Sequence, residues 1–231
     1  MIRTLSPTLN LQLYDHLLRF QLFQGLSRAE LLLMAGNTKF GFLKETAGKI
    51  VVKEGEPCQQ LFFLVSGRLS LSTRSNDGGY EMTEQLSAPW LLQPDALFGV
   101  QPRYASTYRT DSACHFITLS KDEVLRLLND FLIIRLNFMN MLSAIVQRRT
   151  RQQWRSAPTS LRERFVRFVA DHSFYPAGPK QLRILMVRLA EELGDSRLDV
   201  SRMLNKLQSE SLLQLHRGRI EVPSLERLLQ T

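Results

Sequence analysis

The spacing of apolar positions changes several times along this 231-residue chain. Residues 8–35 repeat apolar side chains at helical spacing in LQLYDHLLRFQLF, and Ser27-Arg-Ala-Glu30 makes a capping box ahead of a leucine-rich run. From there the period shortens. Residues 48–53, 61–65, 68–72, 81–86 and 115–119 read as short strands, separated by turn signals at 54–57, 66–67 and 76–79. Many short strands at close spacing predict a barrel or jelly roll. From Asn129 or Asp130, either of which can cap it, a helix carries apolar residues on nearly every face through Val146. Such a helix must be buried on more than one side, by the β-domain and by a second copy or inside one large monomer. Ile134, Phe138, Met141 and Ile145 have the spacing of a seam between two copies.

After Pro158 the pattern is helical again. Ser160-Leu-Arg-Glu163 is a capping box, and Phe165, Phe168 and Val169 make one stripe. Residues 182–186 alternate weakly, as a short strand would. Residues 189–207 then read as two short helices broken at Gly194, which suits the left-handed position after a helix end. Ser196 caps the second helix, with Asp199 three residues on. Val200, Leu204 and Leu207 face a core, while Leu198, Arg202 and Asn205 lie opposite, with Arg197 near the N-terminal end. Residues 212–222 read as a hairpin turning at Arg217-Gly218. A helix apolar behind and basic in front, followed by a hairpin, is what a major-groove reader with a wing needs; an ordinary helical hairpin with solvated arginines has the same pattern.

Charge sharpens this picture. Residues 1–120 hold 11 Lys+Arg against 10 Asp+Glu, whereas residues 121–231 hold 19 against 12. A basic C-terminal part beside a near-neutral N-terminal part points to a polyanion for the former. The arginines of residues 148–155 end the long helix and are solvated or close to phosphates. Cys58 and Cys114 are far apart and offer neither a metal pair nor a disulfide framework. The longest apolar runs fall short of a membrane span, and the N-terminus lacks a signal-peptide core, so a cytoplasmic protein with no membrane partner is expected. No nucleophile–base pair, metal cluster or phosphate loop suggests an enzyme.

The stretch KEGEPCQQLFFLVSGRLSLS (residues 53–72) resembles the opening hairpin of a cyclic-nucleotide-binding β-roll. LLQPDALFG (91–99) resembles that family's turn into its phosphate cassette, and SACHFITLSKDEVLRLL (112–128) its last strand and following helix. With the helix-turn-helix downstream, the order is similar to the catabolite-activator and fumarate–nitrate regulator (Crp/Fnr) superfamily over about residues 15–222. The resemblance implies an α+β fold in three parts: an N-terminal β-roll sensor over 1–128, a dimerisation helix and hinge over 129–156, and a winged helix-turn-helix over 157–231. It implies a homodimer on double-stranded DNA with an inverted-repeat operator, and RNA polymerase as a further partner. A ligand-binding regulatory subunit without DNA contact is the alternative.

On the DNA side the family reads Ser-Arg-Glu, three residues, then Arg; here Ser196, Arg197, Leu198 and Arg202 occupy those places. Leucine in place of Glu puts cytosine reading in doubt and leaves guanine contacts from the arginines. Ser201, Asn205 and Lys206 on the same helix, with Arg217 and Arg219 on the wing, complete the expected DNA-contacting set. Leu185 stands where the family often has a polar helix cap.

On the effector side the resemblance breaks down. Cyclic-nucleotide binders carry Phe-Gly-Glu, a short helix, then Arg-Ser or Arg-Thr. This chain has Phe98-Gly99-Val100 and, by count from Cys114, Tyr104-Ala105, with too few residues between for the helix. No usual capture of cyclic AMP or GMP is expected. An iron–sulfur cluster needs four thiolates and the chain has two cysteines; His16, His115, His172 and His216 are scattered and give no haem pocket. No cofactor is identified. Phe98-Gly99-Val100 resembles the branch that senses 2-oxoglutarate, with Arg103 and Arg109 as the cations near it; a regulator without an effector is the other option.

Overall fold

The computed structural model describes residues 13–230. In chain order its strands are β1 (Gly41–Glu45), β2 (Ile50–Val52), β3 (Gln60–Ser66), β4 (Arg68–Arg74), β5 (Tyr80–Ser87), β6 (Trp90–Leu91), β7 (Thr107–Thr110), β8 (Cys114–Ser120), β9 (Lys180–Ile184), β10 (Gln214–His216) and β11 (Arg219–Val222). The α-helices after the short helical turn at 13–17 are α1 (Arg28–Asn37), α2 (Lys121–Asp130), α3 (Leu132–Gln153), α4 (Leu161–Asp171), α5 (Met186–Leu193), α6 (Arg197–Ser209) and α7 (Leu225–Leu229). They form two compact units. One comprises the described part of Met1–Arg68 with Ser87–Ala105 and Thr110–Gln153; the other comprises Leu69–Leu86, Ser106–Arg109 and Trp154 onward.

In the first unit the strand order β1-β8-β3-β6 makes an antiparallel sheet. Leu61 to Val65 on β3 are all buried, so this strand reads as a continuous apolar run rather than an alternation. Phe63 meets Phe20 edge-on at 5.1 Å and Phe23 at 5.4 Å. Ser27 and Glu30 close the expected capping box of α1. Residues 8–12 of the expected N-terminal helical stretch lie outside the described residues.

The long helix starts later than expected. Asn129 and Asp130 do not cap it: they end α2, and the chain breaks at the extended Phe131 before α3 begins. Of the expected seam residues, Ile134 is 0 % exposed and Phe138 4 % within the single chain. Met141 and Ile145 lie on that same inward side and are half-buried. Asn137 belongs with them, its amide donating to the carbonyls of Leu22 (3.2 Å) and Gln24 (2.8 Å). The exposed side of the helix carries Leu132, Leu136, Met139 and Val146 instead.

In the second unit the strands β10-β11-β9-β5-β4-β7 lie side by side. β11 pairs with β9, and β9 with β5, both antiparallel. The helices pack on this sheet around Phe165, Val169, Leu189, Val200, Leu204, Leu207 and Leu225, all essentially unexposed. The weakly alternating stretch at 182–186 is thus a strand, displaced two residues towards the N-terminus.

Candidate nucleic-acid interface

The two helices of the turn motif are set by local chemistry. Gly194 ends α5 at φ 61°, ψ 43°, a conformation any side chain would strain. Ser196 then caps α6: its hydroxyl oxygen accepts from the Asp199 amide at 3.1 Å and donates to the Asp199 carboxylate at 2.6 Å. Only half of a capping box forms, since the Ser196 amide donates to Asp195 at 2.8 Å instead. Leu185 precedes α5 without any side-chain cap, as its residue type dictates.

Position on α6 follows from the buried stripe. Val200 and Leu204 are 0 % exposed and Leu207 1 %, and this seats the helix on its sheet. Burying these three aliphatic side chains contributes several kcal/mol, at about 1.5–3 kcal/mol each. Arg202 lies about 200° round the helix from Val200, at about 100° per residue, and its side chain is 70 % exposed. Arg197, Leu198, Asn205 and Lys206 are exposed on the same outward face, and Ser201 is half-buried at its margin. The Arg202 guanidinium lies 3.4 Å from the Asp199 carboxylate. An exposed pair of this kind contributes little stability but favours one arginine rotamer.

The wing forms as expected. β10 and β11 join through Arg217-Gly218, with Gly218 at φ 71°. Arg217 is exposed at its tip, whereas Arg219 is half-buried and turned onto Glu221 at 3.1 Å. The Gln208 side-chain carbonyl accepts from the Leu215 amide at 3.0 Å and so ties the end of α6 to the wing.

Sequence reasoning missed the residues that hold α6 from behind. Arg164 of α4 contacts Asp195 in the turn at 2.5 Å, and Arg162 contacts Glu210 just past α6 at 2.8 Å. These pairs pin both ends of the helix. The Glu163 carboxyl is held below the usual carboxylate range by the Thr159 amide and hydroxyl, which strengthens the start of α4. A cation pair at i and i+2 on an amphipathic helix carries no sequence signal of this role.

Of the expected effector residues, those at 98–104 lie in the first unit and Arg109 in the second. Val100 is 99 % exposed beside Gly99, which has φ 105°. Residues 97–102 form no helix, in agreement with the short spacing. Phe98 packs edge-on against Phe138 at 5.7 Å, with the Lys121 ammonium 5.2 Å from its ring. The Arg103 guanidinium donates to the Gly55 carbonyl at 2.7 Å. Tyr104 is 4 % exposed and its hydroxyl donates to the Gln60 carbonyl at 3.0 Å. Arg109 is exposed on β7, within the second unit. Burial pushes the nearby Cys58 thiol up, opposed by a hydrogen bond with Tyr104. Among the described residues no group of His, Cys, Asp or Glu is arranged to hold a metal ion, and no helix is long and apolar enough to cross a membrane.

Two family models match the chain. One, described as a cyclic nucleotide-binding domain, matches residues 44–131; the other, a Crp-like helix-turn-helix domain, matches residues 163–231. Among solved structures, the sensor domain of the transcriptional regulator DNR from Pseudomonas aeruginosa is 21 % identical, with TM-score 0.53, over 66 % of this chain and 98 % of that one. That likeness shows the fold of the region it covers. The catabolite activator protein of Thermus thermophilus is 20 % identical, with TM-score 0.49, over 91 % of this chain and 97 % of that one. The regulator CLP of Xanthomonas campestris, described as responsive to c-di-GMP, is 23 % identical, with TM-score 0.49, over 83 % and 96 %. Comparison with curated proteins finds no match.

Proposed function

The chain belongs to the Crp/Fnr superfamily of transcription regulators, and from that premise we propose that it is a homodimer that reads an inverted-repeat operator with α6. The observation that carries this is the exposed polar face of α6, with Arg202 directed away from the Val200–Leu204–Leu207 stripe. Arg197 and Arg202 are the guanine readers by chemistry, since a guanidinium pairs bidentately with O6 and N7. Leu198, 60 % exposed, offers an apolar contact to a thymine methyl in place of an acid reading cytosine. Lys206 and Arg217 suit phosphates. A regulatory subunit that never touches DNA would have no use for this face.

The second copy joins through α3. Leu132, Leu136, Met139, Ser143 and Val146 are exposed and follow the alternating four- and three-residue spacing of a coiled-coil seam. A two-fold pair places two recognition helices about 34 Å apart, one helical turn of DNA. The regulator works in the cytoplasm at promoters, with RNA polymerase as its further partner. The 98–104 segment is no cyclic-nucleotide trap, because valine cannot accept from a ribose hydroxyl and Tyr104 is spent on the fold. One N–H of the Arg103 guanidinium is already bonded to the Gly55 carbonyl.

Selection from a random DNA pool tests the proposal. The protein should enrich an inverted repeat with half-sites one helical turn apart. Enrichment of no sequence, or of an unpaired single site, would overturn it.

A further inference from the structure

The module that carries α6 does not end its sheet at β9. Its inner strand continues onto β5, which lies within the match to the cyclic nucleotide-binding domain. Five residue pairs align, from Tyr80 opposite Ile184 to Glu84 opposite Lys180. Met82 of β5 is 2 % exposed and belongs to the same apolar core as Phe165, Leu189, Val200 and Leu204. The β4–β5 hairpin is thus a structural layer of the DNA-binding module.

A buried ion pair fixes the register. The Lys180 ammonium lies 2.8 Å from the Glu84 carboxylate, and both side chains are 1 % exposed. Glu84 also accepts from the amides of Phe174 (2.7 Å) and Tyr175 (3.0 Å), and Lys180 donates to the Ala177 carbonyl at 2.8 Å. Satisfied in this way the pair is tolerable; with one partner gone it leaves an unpaired buried charge. A slip of one residue would turn Glu84 to the opposite face of the sheet. At the hairpin tip, Arg188 of α5 contacts Asp77 at 2.7 Å, and the Tyr80 hydroxyl meets the His172 ring nitrogen at 2.9 Å.

Ser106, 0 % exposed and just ahead of β7, bonds to Thr73 of β4 at 2.7 Å. Ser72 of β4 bonds to Thr83 of β5 at 3.0 Å. Contiguous hydrogen bonds thus join β7 through β4 and β5 to the strand preceding α5.

We propose that the β4–β5 hairpin is a docking edge for residues 180–184, and that docking through Glu84–Lys180 holds α6 in its DNA-competent orientation. This rests on the DNA-binding reading above. The docked module leaves Leu198 and Arg202 exposed, so docking does not cover the reading face. Orienting the module before DNA arrives removes part of the ordering cost of binding.

Two variants of the full chain test the inference. Lys180→Met should speed amide hydrogen exchange in both 80–84 and 180–184, leave 61–65 unchanged, and weaken binding to the selected operator about tenfold, an ordinary size for coupling between sites. Thr83→Cys/Gln181→Cys, which face each other across the ladder, should bind the operator as wild type when oxidised. Adding that cross-link to Lys180→Met should restore its affinity. Independent exchange of the two segments, unchanged affinity in a loosened Lys180→Met, or lost affinity in the oxidised cross-linked protein would each overturn the proposal. If Lys180→Met does not fold, the cross-linked protein decides alone. If the wild type binds no DNA, the DNA-binding reading fails, and joint protection of 80–84 and 180–184 still decides whether the docking edge exists.

Discussion

Helix α6 and the 98–104 segment are the two places where this protein would be expected to meet another molecule, and they are built in opposite ways. On α6 Val200, Leu204 and Leu207 turn inward while Arg197, Leu198, Arg202, Asn205 and Lys206 project outward, with Arg202 70 % exposed. In the 98–104 segment the Tyr104 hydroxyl bonds back to the Gln60 carbonyl and one N–H of Arg103 to the Gly55 carbonyl. Val100, 99 % exposed, has no polar side-chain atom, and Gln101 and Arg103 are exposed beside it. A side chain whose hydrogen bonds are already used by its own fold is a poor ligand trap, and one held out by a buried stripe is a good reader.

The contrast can be broken first at the seam, where the largest effect is expected. Leu136→Glu should convert dimer to monomer by sedimentation and cost about 10²-fold or more in operator affinity, since linked half-site binding multiplies affinity on that scale. Leu204→Ala should then cost about 2–5 kcal/mol in urea denaturation through a cavity beneath the recognition helix. In the other region the effects are smaller and are confined to stability. Tyr104→Phe should cost about 0.5–1.5 kcal/mol by the same measurement, the worth of one hydrogen bond, with DNA binding intact. Smallest of all, cyclic AMP at millimolar concentration should leave the melting temperature unchanged, because a ligand stabilises only what it binds. A shift of several degrees would show capture by residues other than Val100 and Tyr104.

The same contrast explains what could be read from residue order. The recognition helix was legible because its determinants are local: Ser196, Gly194 and the Val200–Leu204–Leu207 spacing lie within fourteen residues of one another. So were the glycine-bounded strands around β3 and β4. Which side of α3 turns inward was not legible, because the helix is apolar all round and its phase is set by what packs against it. Asn137 looks like a surface residue by type, yet it lies on the inward side and bonds to the carbonyls of Leu22 and Gln24, far away in sequence. β6 is two residues long, too short for any period, and β1 and β7 gave no turn-bounded apolar run. The Glu84–Lys180 pair joins residues 96 apart, and nothing local to either distinguishes it from a solvated charge.

The central claim is that Arg202 reads a base, and titrations of the operator and of a scrambled duplex at two salt concentrations test it most directly. Arg202→Ala should lose about 1–3 kcal/mol on the operator and little on the scrambled DNA, with the salt slope unchanged. Equal loss on both sequences, with the slope smaller by about one, would make Arg202 a phosphate contact. That result would contradict the account.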